Sequence, residues 1–248
     1  MRKISKQKYN CYADAFQDAP ELIDLLLREA SHLDSQISVL REDFCGTAIN
    51  CVEWVGTSSG RMAVGVDVDT EPLTCAKQAC PPILRDRIEL ICGDVLQIDL
   101  PKADIAIAMN CSFCVFKQRT EFSRYLEKCY ASLRSPGMMV LEVYCGPAAQ
   151  ETGKDEIPIE GGVAIWEQVS FDPLTNQCLN KIHFRMDDGK FIEDAFVYDW
   201  RLWSPAECCD LLKEVGFADI KVQSYPDSDE TEDDGRSKTV LIFGFKQS

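Results

Sequence analysis

The sequence is short of positive charge and contains no long apolar run. Only 26 lysines and arginines stand against 41 aspartates and glutamates, and the formal net charge of −15 would repel a phosphate backbone unless the basic side chains were gathered on one face. No apolar stretch approaches the roughly 20 residues that a membrane-spanning helix needs. A nucleic-acid-binding protein and a membrane protein are therefore disfavoured.

Metal-binding and secretion patterns are also missing. Cys111 and Cys114 have CxxC spacing, but no second CxxC follows and His32 and His183 are the only histidines, so no metal site is predicted. The basic first eight residues are not followed by the apolar segment of a signal peptide. We therefore expect a cytoplasmic protein whose 13 cysteines stay reduced and pack as small apolar side chains.

From residue 36 onward, short apolar runs alternate with amphipathic stretches, which predicts a parallel sheet covered by helices. The predicted strands are 37–40, 62–66, 88–91, 105–109 and 138–143, and the predicted helices are 47–56, 71–79 and 118–134, the last ending at Ser135-Pro136-Gly137. This alternation is typical of a doubly wound α/β fold in a single domain.

The pattern changes in residues 150–200. The stretches 163–171, 179–185 and 191–198 are strand-like and are separated by turn sequences, which predicts an inserted antiparallel β-sheet that covers the active site. Beyond it, Ser204 begins a capping-box helix that ends at Gly216, and 220–224 and 239–245 predict two further strands of a seven-stranded, mostly parallel sheet. The acidic loop 226–238 that joins them is expected to be solvated, and no function is assigned to it.

Acidic residues follow each of the first three predicted strands. The first strand leads into a loop that contains Glu42, Asp43 and Gly46, where the amide groups of the helix start would suit a carboxylate and one of the two acids would face an ammonium or sulfonium group. The second strand ends at Asp67, which can accept both hydroxyls of a ribose because Asp69 is the better candidate for a helix cap.

The third strand ends in Gly93-Asp94-Val95. Asp94 can accept a hydrogen bond from an adenine amino group, while the backbone of Val95 contacts the edge of the ring. Three acids at consecutive strand ends, in chain order, are hard to produce by folding requirements alone. Together they predict a nucleoside-containing ligand at the carboxyl edge of the sheet.

In this pattern the chain resembles the class I S-adenosylmethionine (AdoMet)-dependent methyltransferases, and the resemblance covers nearly all of residues 1–248. The segments REDFCGTA, VGVDVD and AFVYDWRLWS resemble more narrowly a branch of that superfamily marked by the REDFCGT loop. The resemblance implies a Rossmann-like methyltransferase fold, lid helices within residues 1–35, and AdoMet as cofactor. The expected cofactor contacts are Tyr12, Glu42, Asp43, Cys45, Gly46, Asp67, Val68, Asp94, Val95 and Asn110.

The segment 196–203 is the densest in aromatic and charged side chains, and we expect it to line the active site. Tyr198, Asp199 and Arg201 are the candidate substrate-site residues, with Arg201 as a fork for a carboxylate or phosphate. An alternative stays open in which the aromatic side chains seal the inserted sheet onto the core and Arg201 pairs with Asp199 or Glu207.

A general base is useful only if the attacking atom enters protonated, and the candidates are Asp199, Tyr198, Tyr144 and His183. His183 is more typical of a hydrogen-bonded sheet residue, and Trp54 and Trp166 are predicted in the core.

Three functions remain compatible with the sequence. The first is methyl transfer by in-line displacement to a small-molecule acceptor, either an amine or a carboxylic acid. The second is binding of AdoMet without catalysis. The third, an NAD(P)-dependent oxidoreductase, fits less well because its pyrophosphate loop needs GxGxxG, whereas this loop has a single glycine and places Phe44 beside it. No oligomeric state is predicted.

Overall fold

The computed structural model describes residues 2–31, 33, 37–225 and 236–247, with side chains from Lys6 onward. The helices are α1 (Arg2–Phe16), α2 (Ala19–Ala30), α3 (Ile49–Gly56), α4 (Thr70–Ala79), α5 (Arg119–Ser132) and α6 (Pro205–Val215). The strands are β1 (Val39–Asp43), β2 (Met62–Asp67), β3 (Ile88–Cys92), β4 (Ala103–Ala108), β5 (Leu133–Cys145), β6 (Gly153–Ile159), β7 (Gly162–Asp172), β8 (Gln177–Met186), β9 (Phe191–Arg201), β10 (Ala218–Ser224) and β11 (Lys238–Lys246).

The central sheet has seven strands in the order β10-β11-β5-β4-β1-β2-β3. All of its neighbours are parallel except β11, which runs antiparallel to both β5 and β10. The predicted doubly wound, mostly parallel sheet is confirmed. The chain leaves β1 toward β2 and β3 and then returns to the other side of β1 with β4, so the topological switch point, where such folds bind ligands, lies between β1 and β4.

Alternation along the central strands divides the core into two layers. In β4, all six residues are buried, with Ile105 and Ile107 facing α2 and α3 while Ala106 and Ala108 face α5 and α6. Each layer is a contiguous apolar cluster. The sheet is therefore packed on both faces up to its carboxyl edge, where β1 and β2 end at Asp43 and Asp67.

A second sheet, inserted between β5 and α6, contains four antiparallel strands in the order β6-β7-β8-β9. The antiparallel insertion is as predicted, but its first strand was not. The sequence of β6, GKDEIPI, is largely exposed and polar, so it carries no apolar alternation to indicate a strand. Backbone pairing with β7 from Gly153 to Ile159 is what orders it.

Two helix ends test the capping arguments. For α6, the Ser204 hydroxyl accepts the Glu207 N–H, and Gly216 ends the helix in a left-handed conformation, as predicted. For α5, the predicted end at Ser135-Pro136-Gly137 is wrong. The helix ends at Ser132 because buried Leu133 already pairs with Ala103 as the first residue of β5.

Helix α1 lies over the carboxyl edge of the central sheet, whereas α2 packs on the face of the sheet that contains Ile105 and Ile107. Helix α1 contacts the second sheet through Cys11, which packs with Ala164, Ile182 and Phe184. No helix among the described residues is long and apolar enough to cross a membrane. The acidic segment 227–234 lies outside the described residues.

Candidate active site

A cavity of about 450 Å³ lies at the carboxyl ends of β1, β2 and β4, and we call it the strand-end cavity. Its walls are the loops after these three strands, with α1 and β9 above them. The lining residues used below are Lys8, Tyr12, Glu42, Cys45, Gly46, Asp67, Val68, Asp69, Asn110, Tyr198 and Trp200. Most of the predicted cofactor contacts therefore meet at one place in the fold.

The loop after β1 turns sharply through three left-handed residues, Phe44, Gly46 and Ala48. It is held against the end of β2, since the Cys45 N–H donates to the Val66 carbonyl and the Gly46 N–H donates to Asp67 Oδ2 at 2.8 Å. Ala48 stands at the N-cap of α3 and has no side chain to accept the first helical N–H groups. The start of α3 can thus offer amide donors to an anion.

Asp67 accepts backbone N–H groups with both carboxylate oxygens, from Gly46 and from Asp69. Asp69 itself caps α4 by accepting the Glu71 N–H, as the sequence suggested. Burial raises the pKa of Asp67, although these backbone donors oppose the shift. Because a carboxylate has roughly four acceptor sites, Asp67 keeps capacity for ligand hydroxyls.

Glu42 and Asp43, which the sequence offered as equivalent choices, point to opposite faces of β1. Glu42 lines the strand-end cavity and accepts from Asn50 Nδ2 at 2.6 Å. Burial raises the pKa of Glu42 to about 7. The Asp43 carboxylate does not line the cavity, because alternation turns it into the α5 layer, where it pairs with Arg41 at 2.9 Å and accepts from Tyr125 Oη at 2.9 Å. The proposed role of Asp43 as a cofactor contact is therefore corrected to a structural one.

Asp94 and Val95 do not line the strand-end cavity either. Asp94 is exposed and accepts the Leu96 N–H at 2.8 Å, while Val95 is buried in the core. They follow the edge strand β3, which β2 separates from β1. Their contact with adenine stays a prediction.

A second cavity of about 280 Å³ lies between the two sheets, and we call it the inter-sheet cavity. It adjoins the strand-end cavity, since Tyr12, Asn110 and Trp200 line both. The other lining residues used below are Phe16, Glu142, Tyr144, Asp155, Trp166 and Asn180. A ligand in one cavity would therefore lie next to a ligand in the other.

Glu142 on β5 is a candidate functional residue that sequence reasoning missed. Its Oε2 accepts the Asn110 N–H at 2.9 Å, and burial raises its pKa to about 7. Asn110 is left-handed and donates from Nδ2 to the Phe16 carbonyl at 2.9 Å, which ties the end of α1 to this corner. The available signal was a single charged residue inside the apolar run of β5.

The candidate substrate residues on β9 divide by alternation. Tyr198 and Trp200 face the cavities, and Tyr12 donates a hydrogen bond to Tyr198. Asp199 and Arg201 face away, which corrects their assignment to the substrate site. Asp199 pairs with Lys117 at 2.5 Å, and Arg201 pairs with Glu207 at 3.1 Å and stacks on Trp203. For Arg201, the structural alternative holds.

The structure also locates His183 and the two tryptophans that were predicted in the core. His183 lies outside both cavities, where Nε2 contacts Glu167 at 2.9 Å and Nδ1 accepts the Asp194 N–H. Trp54 is buried in the core as predicted. Trp166 is not a core residue but a wall of the inter-sheet cavity, because the second sheet places it over β5 rather than inside either core layer.

The chain was compared with known families and structures. Residues 43–141, from the end of β1 into β5, match the family model described as a methyltransferase domain. The family model and the structural neighbours support assignment of the chain to the class I superfamily of AdoMet-dependent methyltransferases. The comparison with curated protein sequences gives no match.

Three solved structures share the fold of this methyltransferase. An AdoMet-dependent methyltransferase from Clostridium acetobutylicum ATCC 824 has a TM-score of 0.72 and 14% identity, covering 91% of this chain and 92% of that one. An AdoMet-bound amino pentose methyltransferase from Micromonospora echinaspora has a TM-score of 0.67 and 14% identity, and the match covers 93% of this chain and 92% of that one. A sugar N-methyltransferase from Streptoalloteichus sp. ATCC 53650 has a TM-score of 0.66 and 15% identity, and the match covers 94% of this chain and 89% of that one.

The family match and the AdoMet-bound neighbours support AdoMet as the cofactor, and the charges of the strand-end cavity fit it. Glu42, Asp67 and Asp69 line this cavity against the single ammonium of Lys8. Such an excess of carboxylates suits a ligand that carries a sulfonium and an ammonium group. The volume of the cavity also falls within the range of about 300 to 1,000 Å³ that is usual for cofactor sites.

Proposed function

We propose that the enzyme transfers the methyl group of AdoMet, held in the strand-end cavity, to a small-molecule acceptor held in the inter-sheet cavity. The observation that carries this proposal is the shared wall of Tyr12, Asn110 and Trp200. Methyl transfer needs the acceptor atom and the methyl carbon side by side in a dry site. Two cavities that share these lining residues place an acceptor beside the cofactor, as that requirement demands.

The strand-end residues divide the work of binding the cofactor. The amide groups at the start of α3 would hold the methionine carboxylate, Glu42 would pair with its ammonium, and Asp67 would accept the ribose hydroxyls. Tyr12, Cys45, Val68 and Asn110 supply the remaining contacts. The bound cofactor supplies an electrophilic methyl group on a positively charged sulfur.

The second sheet and α1 act as the roof of the site. Phe16 packs on Trp166 at a ring distance of 6.3 Å, and Trp166 packs on Trp200 at 6.2 Å. These rings exclude water from the place where the cavities meet, which favours displacement at carbon over side reactions. The antiparallel insertion at residues 150–200 is therefore the part of the domain that selects the acceptor.

A small molecule fits the acceptor site better than a polymer. The cavity volume of about 280 Å³ matches a compact ligand. The structures that share the fold include an amino pentose methyltransferase and a sugar N-methyltransferase, which supports a small-molecule acceptor here. The net charge of −15 argues against a phosphate backbone.

The test is a calorimetric titration of the protein with AdoMet and S-adenosylhomocysteine, with NAD and NADP as controls. Micromolar affinity for the first pair, about −8 kcal/mol, and none for the dinucleotides is expected. Mass spectrometry of small amines and alcohols incubated with protein and AdoMet then tests turnover. Tight AdoMet binding with no methylated product from any acceptor would instead favour a non-catalytic binding protein.

A further inference from the structure

The inter-sheet cavity has an asymmetric set of charges. Two carboxylates, Glu142 and Asp155, line it, and among its described lining residues there is no lysine, arginine or histidine. An anionic acceptor would meet two like charges and no counter-ion, which disfavours carboxylate and phosphate ligands. The cavity is thus matched to a cation.

Glu142 is the inner of the two carboxylates, and its oxygens are incompletely satisfied. Within the described residues, its one hydrogen bond comes from the Asn110 N–H to Oε2. Glu142 is only partly exposed, and a carboxylate that is largely withdrawn from water and has a single donor is costly unless another partner joins it. A ligand N–H⁺ group is such a partner.

A second group in the same cavity also lacks a partner. Asn180 on β8 is 1% exposed, and its Oδ1 receives no hydrogen bond from the described residues, while Nδ2 donates to Cys178 Sγ. Buried amide oxygens are normally satisfied, so an unpaired one in a cavity wall indicates a donor supplied by a ligand. Asn180 and Glu142 together predict a ligand with more than one N–H or O–H donor.

The remaining walls are aromatic. Trp166 and Trp200 line the cavity, and Tyr198 stacks on Trp200 with ring centres 4.4 Å apart. The faces of tryptophan rings attract ammonium groups, and this attraction strengthens in a desolvated site. Aromatic walls beside a carboxylate are a common arrangement for binding organic cations.

We propose that the methyl acceptor is a small amine, which Glu142 receives as a counter-ion and deprotonates, with Asn180 accepting a second donor of the same molecule. This inference rests on the proposed function, because it specifies the acceptor of that reaction. The nitrogen enters as an ammonium group, which has no lone pair with which to attack.

The proton passes from the ammonium nitrogen to the Glu142 carboxylate, which leaves a neutral amine and a carboxylic acid. The freed lone pair then forms the bond to the methyl carbon while the carbon–sulfur bond breaks and its electron pair stays on sulfur. The positive charge moves to the methylated nitrogen, and Glu142 returns its proton to water when the product leaves.

The groups around Glu142 do not compete with it as the counter-ion and base. Tyr12 from α1, Cys111 from the loop after β4 and Tyr225 from the end of β10 face it, and burial raises the pKa of all three, so they are neutral near pH 7. Tyr144 and Asp155 line the same cavity. Among the described residues that line the cavity, no basic side chain competes with the ligand for the carboxylate.

The experiment measures binding of matched probes to the full chain with S-adenosylhomocysteine present, by quenching of tryptophan fluorescence. Phenethylamine is compared with 2-phenylethanol and 3-phenylpropionate, and glucosamine with glucose. We expect at least one amine to bind about tenfold or more tighter than its neutral partner, and the carboxylate to bind weakest. Equal or tighter binding of the alcohol or acid, or no binding by either amine, would overturn the proposal.

Variants assign the effect to Glu142. In Glu142→Gln the preference for the amine over the alcohol should disappear while the alcohol still binds, whereas Glu89→Gln, an exposed change on β3, should leave the preference intact. Should Glu142→Gln fail to fold, Glu142→Asp, which keeps the charge, should retain a reduced preference. A Glu142→Gln protein that still prefers amines refutes the assignment. AdoMet titration of the same samples separates the two proposals, since loss of cofactor binding counts against the methyl-transfer site and leaves the amine preference measurable.

Discussion

The strand-end cavity and the inter-sheet cavity are neighbours, yet they are built in different ways. The first is made chiefly from three turns, after β1, β2 and β4, that the fold brings to one edge of the sheet. The second draws one or a few residues each from α1, the loop after β4, β5, the strands of the inserted sheet and β11. A turn that joins a strand to the next helix is a short continuous segment, so it can be recognised as a sequence motif. A site made of scattered residues leaves no such motif.

Glu42 and Glu142 show the same contrast at the level of one side chain. Both lie on the α2 and α3 face of the central sheet, and burial raises both pKa values to about 7. Glu42 receives donors from Asn50 and Cys51 of α3, while Glu142 receives one backbone N–H. In the proposed reaction the first carboxylate faces the cofactor and the second faces the methyl acceptor.

The largest expected effect separates the two faces of β1. Asp43→Ala should lower the free energy of unfolding by about 3 to 5 kcal/mol, because it leaves the Arg41 guanidinium buried without its partner. Chemical denaturation measures the change, with the exposed Asp86→Ala as control. A stable Asp43→Ala protein with lost AdoMet affinity would return Asp43 to the cofactor site.

The second prediction is a pH-dependent effect of the Glu142 carboxylate on stability. The folded-state pKa of Glu142, about 7, lies above its ordinary value of 4.5, so its protonation stabilises the fold below pH 4.5 and this contribution is lost as the pH rises through 7. Glu142→Gln should therefore be more stable than the native protein at pH 8, by on the order of 3 kcal/mol, with little difference at pH 4.5. Thermal unfolding at the two pH values measures this, and an equal shift at both would contradict it.

A third prediction concerns the strand-end cavity alone. Asp67→Ala should weaken AdoMet binding by about 2 kcal/mol or more, or roughly 30-fold, if both ribose hydrogen bonds are lost. Titration calorimetry measures the affinity, and phenethylamine binding serves as the internal control because Asp67 does not line the inter-sheet cavity. Unchanged AdoMet affinity in a folded Asp67→Ala protein would contradict the assignment of Asp67 to the ribose hydroxyls.

The smallest effect is expected at Asp199, which the structure directs away from both cavities. Its pair with Lys117 is exposed, so Asp199→Asn should change stability by about 1 kcal/mol or less and leave both ligand affinities unchanged. The comparison is Tyr198→Phe, which removes the hydroxyl that accepts from Tyr12. A larger loss of acceptor binding in Asp199→Asn than in Tyr198→Phe would reverse the assignment along β9.

The periodic and local features of this fold could be predicted from the sequence. Apolar runs located the parallel strands, and Ser204, Glu207 and Gly216 bounded α6, because capping depends on residues a few positions apart. The turns after β1 and β2 were equally readable, since a strand end and the next helix start are adjacent in the chain. Strand β6 was missed because its order comes from pairing with β7 rather than from its own pattern.

By itself the sequence determined a doubly wound domain with acids at successive strand ends, because both depend on short-range patterns. Only the tertiary structure decided that Glu42 rather than Asp43 faces the cavity, that Trp166 lines a site, and that Glu142 lies beneath the inserted sheet. The physical reason is that which face of a strand becomes a cavity depends on what packs above it, and here those elements, α1 and the second sheet, come from distant parts of the chain.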